Sequence, residues 1–218
     1  MLAVESLTKT YAQGHTKVHA LRDLSFELTK GQTLAVVGSS GSGKTTLLSL
    51  LGGLDTPSEG KVTIADEVIS SMTELELSEF RSKNMGIVFQ QFHLMPYMTA
   101  LENVSLPLEI TKSGDILSRA RKALASVGLE SRMHHRPDQL SGGECQRVAI
   151  ARALVIEPKV LLADEPRGNL DTETGVVIME LLFRLVAENQ MTMVLVTHNP
   201  DHASLCQNQI QLKAGRRL

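Results

Sequence analysis

Gly38-Ser39-Ser40-Gly41-Ser42-Gly43-Lys44-Thr45 combines glycines, a lysine and hydroxyls in the order a polyphosphate site needs. The glycines let the backbone bend and turn its N–H groups inward onto an anion. Lys44 is placed to reach β and γ phosphates, and the Thr45 hydroxyl to ligate Mg²⁺. Leu34-Ala35-Val36-Val37, apolar and rich in β-branched residues, predicts a strand ahead of the loop. Thr46-Leu47-Leu48-Ser49-Leu50-Leu51 predicts a helix behind it, whose positive end would point at the same anion. A nucleoside triphosphate is therefore expected here. The pattern alone leaves open what its energy is used for.

A second chemical group comes at Asp164-Glu165, directly after the apolar run Val160-Leu161-Leu162-Ala163. A buried strand that delivers two carboxylates at its C-terminal end suits a metal and a water. One carboxylate would hold Mg²⁺ through water while the other takes a proton from the attacking water. Met191 to Val196 predicts another buried strand, ending in Thr197-His198, which makes His198 a candidate phosphate contact. Gln90-Gln91 follows the predicted strand Gly86-Ile87-Val88-Phe89; it is either a ligand position or simply the start of a loop. Tyr11 lies in a polar segment and reads, from its surroundings alone, as a half-covered aromatic.

The elements that must hold these groups alternate along the chain. Leu24, Phe26 and Leu28 alternate with Ser25, Glu27 and Thr29, so β structure is expected in the first thirty residues. Lys61 to Ile64 predicts a strand, and Thr73 to Lys83 an exposed helix or loop. Phe92-His93-Leu94-Met95-Pro96-Tyr97-Met98 is an apolar cluster in a connection, either core or a partner site. Residues 99 to about 157 read as helical. Thr99-Ala100-Leu101-Glu102 and Ser141-Gly142-Gly143-Glu144 both fit a capping box, and Ile116, Leu117, Ala120, Leu124 and Val127 keep helical spacing up to Gly128. The paired glycines 142 and 143 would also admit close approach of a ligand. A helix is expected from about Asp171 to Glu188, a short one after Asn199-Pro200, and a small hairpin around Ala214-Gly215. Together these predict a mostly parallel α/β core with an inserted helical part.

The bulk numbers narrow the class. With 218 residues, 42% hydrophobic and 21% charged, this is the composition of a globular protein. A formal charge of −2 argues against a general nucleic-acid or anionic-membrane binder. No apolar run approaches the roughly 20 residues of a spanning helix, and no secretion signal is visible at the N-terminus. Cys145 and Cys206 form no metal spacing and read as free thiols of a reducing compartment.

Over nearly its whole length the sequence resembles the ATP-binding subunits of ABC transporters. Gly38 to Thr45 matches the Walker A loop and Gln90 the Q-loop glutamine. Leu140-Ser141-Gly142-Gly143-Glu144 matches the family signature, and Leu161-Leu162-Ala163-Asp164-Glu165 the Walker B strand. Gly168-Asn169-Leu170-Asp171 matches the D-loop and His198 the switch histidine. The resemblance implies a P-loop NTPase core with a mostly parallel sheet, an N-terminal antiparallel β part and an inserted α-helical subdomain. Residues 1–218 would be one ATPase domain, with 1–91 and 158–218 as core and about 92–157 as the helical subdomain.

The resemblance also implies roles. ATP would lie against Tyr11, Gly38, Ser39, Ser40, Gly41, Ser42, Gly43, Lys44, Thr45 and Thr46. Mg²⁺ would be held by Thr45, Gln90 and, through water, Asp164. Glu165 would be general base, with Gln90 and His198 around the γ-phosphate. Ser141, Gly142 and Gly143 would act in trans, on ATP held by a second copy in a head-to-tail dimer. A membrane subunit would dock near Phe92 to Met98, which would put the chain in the cytoplasm, peripheral on the inner face of the membrane. Several stretches look most like the branch of lipoprotein-releasing and macrolide-exporting ATPases, which work by mechanotransmission. Arg167 stands where that branch usually has threonine, and Cys145 where glutamine is usual, both near the expected dimer interface. An ATP-dependent signalling scaffold on a membrane partner fits the same residues. A soluble repair or translation ATPase fits less well, because one Walker A, no long heptad tract and no basic footprint are present.

Overall fold

The computed structural model describes residues 1–14, 16–168 and 170–218. Two long strands, β1 (Leu2–Gln13) and β2 (Thr16–Leu28), open the chain, and β3 (Thr33–Val37) leads through the glycine loop into α1 (Lys44–Leu51). Then come β4 (Glu59–Ile64), β5 (Glu67–Val68), α2 (Glu74–Asn84) and β6 (Met85–Val88). The helical stretch holds α3 (Ala100–Ile110), α4 (Ile116–Ser126) and α5 (Gly142–Leu154). It is followed by β7 (Val160–Asp164), α6 (Thr172–Glu188), β8 (Thr192–Thr197), α7 (Pro200–Ser204), β9 (Asn208–Lys213) and β10 (Arg216–Arg217).

The strands form two sheets. One is antiparallel, in the order β2-β1-β4-β5; the other runs β10-β9-β3-β8-β7-β6. In the second, β9, β3, β8, β7 and β6 are parallel and only β10 is antiparallel to its neighbour. Its central strands are apolar on both faces because both are covered. Period-two alternation then divides them between two cores. Leu34, Val36, Leu162 and Val194 face the core shared with α1 and the antiparallel sheet. Ala35, Leu161, Ala163, Met193 and Leu195 face the core shared with α3 to α6.

Register decides function here. Val37 pairs with Thr197, Asp164 with Val196, and Val88 with Ala163. The C-terminal ends of β3, β8, β7 and β6 therefore lie side by side at one edge of the sheet. That edge carries, in order, the glycine loop, His198, Glu165 and, two residues beyond β6, Gln90.

Local signals explain the helices. Thr73, Thr99 and Ser141 each close a capping box with Glu76, Glu102 and Glu144, and Asp171 caps α6. Between helix and loop for residues 73–83, the structure selects helix. Its only deep anchors are Leu77, Phe80 and Asn84, too few to make an apolar stripe. Gly128 ends the α4 segment with φ +71°, as its position predicted.

Candidate functional site

The glycine loop is closed on itself. Lys44 Nζ donates to the carbonyls of Gly38 (2.8 Å) and Ser39 (3.0 Å). Gly43 has φ +106°, and a Cβ there would lie 2.5 Å from the Ala20 carbonyl oxygen, so no other residue fits. Gly43 also begins α1 without a side-chain cap and without an acidic residue in the first turn. The helix start is thus free of the competing oxygens that occupy the starts of α2, α3, α5 and α6. Free N–H groups and a nearby ammonium make an anion site.

Across the edge stands the carboxylate pair. The Glu165 N–H donates to the Val196 carbonyl (2.9 Å), and Glu165 itself has φ +45°, an unusual backbone for a non-glycine. Its Oε1 accepts from the His198 N–H (2.8 Å) and pairs with the ring Nδ1 (2.6 Å), while Thr197 Oγ1 donates to Oε2 (3.3 Å). Burial raises the pKa of Asp164, the charge of Glu165 raises it further, and Lys44 opposes both. A divalent cation between a Thr45 hydroxyl and this crowded pair would relieve that repulsion, so the donor set fits Mg²⁺. Mg²⁺ usually takes one or two carboxylates plus phosphate and water.

The raised pKa of Asp164 has a measurable consequence. The folded chain holds this carboxyl above its ordinary value of 3.8, so ionising it costs stability once pH rises past that value. Asp164→Asn should therefore raise the melting temperature at pH 7 without nucleotide or metal, and abolish turnover. The gain should vanish in acid, where Asp164 is protonated in both folded and unfolded states. Thermal unfolding across pH checks this; equal melting temperatures at pH 7 would overturn it.

Tyr11 projects from β1 towards the start of the loop after α1. Its hydroxyl donates to Asp55 Oδ2 (2.7 Å), and the Lys9 ammonium lies 4.8 Å from its ring centroid. One ring face is thus covered by a cation.

The signature residues start α5. Ser141 Oγ accepts from the Glu144 N–H (3.2 Å), and Glu144 Oε2 accepts from the Ser141 N–H (2.8 Å). Ser141 and Gly142 are exposed, but Gly143 is buried, with a Cβ there placed 2.5 Å from Thr174 Cγ2 on α6. A side chain at 143 would therefore force Thr174 on α6 to move. Cys145 is only 6% exposed and points at the Pro137 carbonyl (3.5 Å), so it faces inward rather than towards an interface. Arg167 folds over Gly175, and its Nη2 donates to Thr172 Oγ1 (3.1 Å). Asn169 of the D-loop lies outside the described residues.

The 92–98 stretch is a surface loop, not core. Met95 and Tyr97 are 46% and 87% exposed. The loop is nevertheless fixed. Asn103, fully buried on α3, accepts from the Met95 N–H (2.8 Å) and donates to the carbonyls of Met95, Met98 and Thr99. Arg152 on α5 donates to the carbonyls of His93 (2.6 Å) and Phe92 (2.9 Å). Gln146, also fully buried, donates from α5 to the Pro166 carbonyl beyond β7. Sequence reasoning missed Asn103, Arg152, Gln146 and Asp55. The available signal was a polar residue on an apolar helix face, as at Asn103 and Gln146, which must find partners when buried.

A frame that brings the ends of β3, β8, β7 and β6 to one edge, with a phosphate loop at the first, defines a P-loop nucleoside triphosphatase. The model for the family described as ABC transporter matches residues 21–168. The lipoprotein-releasing system ATP-binding protein LolD of Geobacter metallireducens is 46% identical over 218 residues, covering 99% of this chain and 97% of that protein. An uncharacterized ABC transporter ATP-binding protein of Thermotoga maritima is 48% identical, covering 95% and 89%. Among solved structures, a dimeric post-hydrolysis state of the ATP-binding cassette MJ0796, bound to ADP and Pi, superposes with a TM-score of 0.91. It is 41% identical and covers 100% of this chain and 98% of its own. The chain belongs to the ABC transporter family. It is an ATP-binding, ATP-hydrolysing cassette that uses Mg²⁺. Among the described residues no helix is long and apolar enough to cross a membrane.

Proposed function

We propose that this chain is the ATPase subunit of a lipoprotein-releasing transporter, working in pairs on the inner face of a membrane. Its similarity to LolD over nearly the whole chain supports the substrate class. Lys44 and the N–H groups of the loop and α1 hold the β and γ phosphates, and Tyr11 offers its uncovered ring face to adenine. Bound Mg²⁺ would supply charge neutralisation to the phosphates, and Thr45, Gln90 and, through water, Asp164 would hold it. Glu165 takes the proton of the attacking water, and His198 orients Glu165 and contacts the γ-phosphate. Ser141, Gly142 and Gly143 complete the site of a second copy, so closure of the pair is the power stroke. The dimeric assemblies of the similar cassette support this arrangement.

The observation that carries the coupling is the pinned apolar loop beside Gln90. Asn103 and Arg152 hold its backbone to α3 and α5, leaving Met95 and Tyr97 as fixed apolar knobs. A partner helix seated there would be moved with the helical part when Gln90 responds to the γ-phosphate. In solubilised membranes the wild-type chain should retain an integral membrane subunit and bound lipoprotein, with ATP lowering the lipoprotein held. Tyr97→Asp combined with Met95→Asp should reduce subunit recovery at least about tenfold, as for loss of an interface anchor. ATP binding by the isolated chain should not change. Unaltered recovery would sink the docking surface, and lipoprotein retention indifferent to ATP would sink the substrate class.

A further inference from the structure

The C-terminal hairpin touches the phosphate loop at its backbone. β9 lies parallel to β3, with Gln211 opposite Val37, so the hairpin runs beside the strand that feeds the loop. At its turn the Gly215 N–H donates to the Ser42 carbonyl (3.1 Å), and the Gly215 carbonyl accepts from the Arg22 N–H (2.8 Å). The three backbones are in close contact. A Cβ on Gly215 would come within 2.7 Å of the Ala20 carbonyl oxygen, the same atom that a Cβ on Gly43 would meet at 2.5 Å. At the other end of the loop, a Cβ on Gly38 would meet the Leu212 carbonyl oxygen at 2.5 Å. The hairpin therefore borders both ends of the loop.

We infer that Gly215 is a positioning residue for ATP, setting the direction of the Gly43 N–H through the Ser42–Gly43 peptide plane. That peptide is trans, so its carbonyl and its N–H point in opposite directions. Drawing the Ser42 carbonyl towards Gly215 turns the Gly43 N–H to the opposite side. Gly43 is itself the uncapped start of α1, and the next residue, Lys44, folds its ammonium back onto the Gly38 carbonyl. The donor is pre-oriented before nucleotide arrives, and no reorganisation is needed on binding. Gly215 has φ +77°, which lets the turn present its N–H at this point without a side chain striking Ala20. The inference rests on the reading of Gly38 to Thr45 as the ATP phosphate site.

The test removes one N–H at a time. Cys206 permits ligation of a synthetic 206–218 segment to an expressed 1–205 segment, giving the full chain. In one product an ester replaces the amide at Gly215. In the control an ester replaces the amide at Leu218, whose N–H donates to Gln211 (2.9 Å) in the same hairpin but does not face the loop. The Gly215 ester should bind Mg-ADP about fivefold more weakly, or about 1 kcal/mol at 1.4 kcal/mol per decade, while the Leu218 ester binds like the all-amide chain. The amide resonance of Gly43, shifted by Mg-ADP in the all-amide chain, should shift less in the Gly215 ester alone. Equal losses in both esters, or none in either, would overturn the inference. An all-amide chain whose ADP affinity is indifferent to Lys44→Ala would instead overturn the loop reading beneath it.

Discussion

Glu165→Gln should bind ATP with near-native affinity and hydrolyse it at least about 100-fold more slowly, the lower end of what a positioned general base contributes. The substitution keeps the shape of the side chain. An amide oxygen can still accept from the His198 N–H, which lies 2.8 Å from Glu165 Oε1. What it cannot do is take a proton from water. Lys44, the loop amides and Thr45 are untouched, so ground-state binding persists while the transition state is lost. The variant should therefore accumulate as an ATP-bound pair of chains, visible by gel filtration with ATP and absent with ADP. Turnover within a few-fold of wild type would reject Glu165 as base. Turnover lost together with ATP affinity would show that Glu165 has a binding role instead.

Lys44→Ala should show the opposite split, with the main loss in binding. The ammonium already sits in the mouth of the loop, 2.8 and 3.0 Å from the carbonyls of Gly38 and Ser39. Phosphate oxygens would take over those bonds as charge-assisted ones. Each charged hydrogen bond contributes about 1.5–3 kcal/mol, so losing two predicts a fall in Mg-ATP affinity of about 100-fold or more. Lys44→Arg should recover little, because a planar fork replaces a compact ammonium in a loop closed around it. The folded state should be little affected, since the loop glycines and the packing of Leu47, Leu48, Leu50 and Leu51 against the sheet remain. Calorimetric titration with Mg-ATP measures the loss. A dissociation constant within about threefold of wild type would remove Lys44 from the phosphate site.

Much of this machinery is visible in short windows of sequence, because the physics there is local. The glycine spacing of the phosphate loop encodes its own backbone path, and Gly41 and Gly43 do take positive φ. Capping boxes are satisfied over three residues, so Thr99-Glu102 and Ser141-Glu144 name their helix starts. Alternation in Leu24 to Leu28 and the apolar runs at β3, β7 and β8 separate half-buried from buried strands. Where the local rule was weak, as in the polar 73–83 stretch, a few tertiary anchors chose the helix.

Other features depend on which distant groups meet, and no window contains them. Glu165 and His198 pair because β7 and β8 end together. Asn103 and Arg152 turn the 92–98 stretch, ambiguous between core and surface, into a fixed exposed loop. Cys145 lies beside the signature in sequence, but the helix turns its side chain inward. Gly215 reads as a hairpin turn, and only the packing of β9 beside β3 brings its N–H to Ser42. By itself, then, the sequence determined the backbone path of the glycine loop, the capped helix starts, and which carboxylates and histidine stand at strand ends. Tertiary structure alone decided which of those groups touch and how the loop is held. Backbone dihedral preferences and caps act over a few residues, whereas sheet register and burial join residues far apart in the chain.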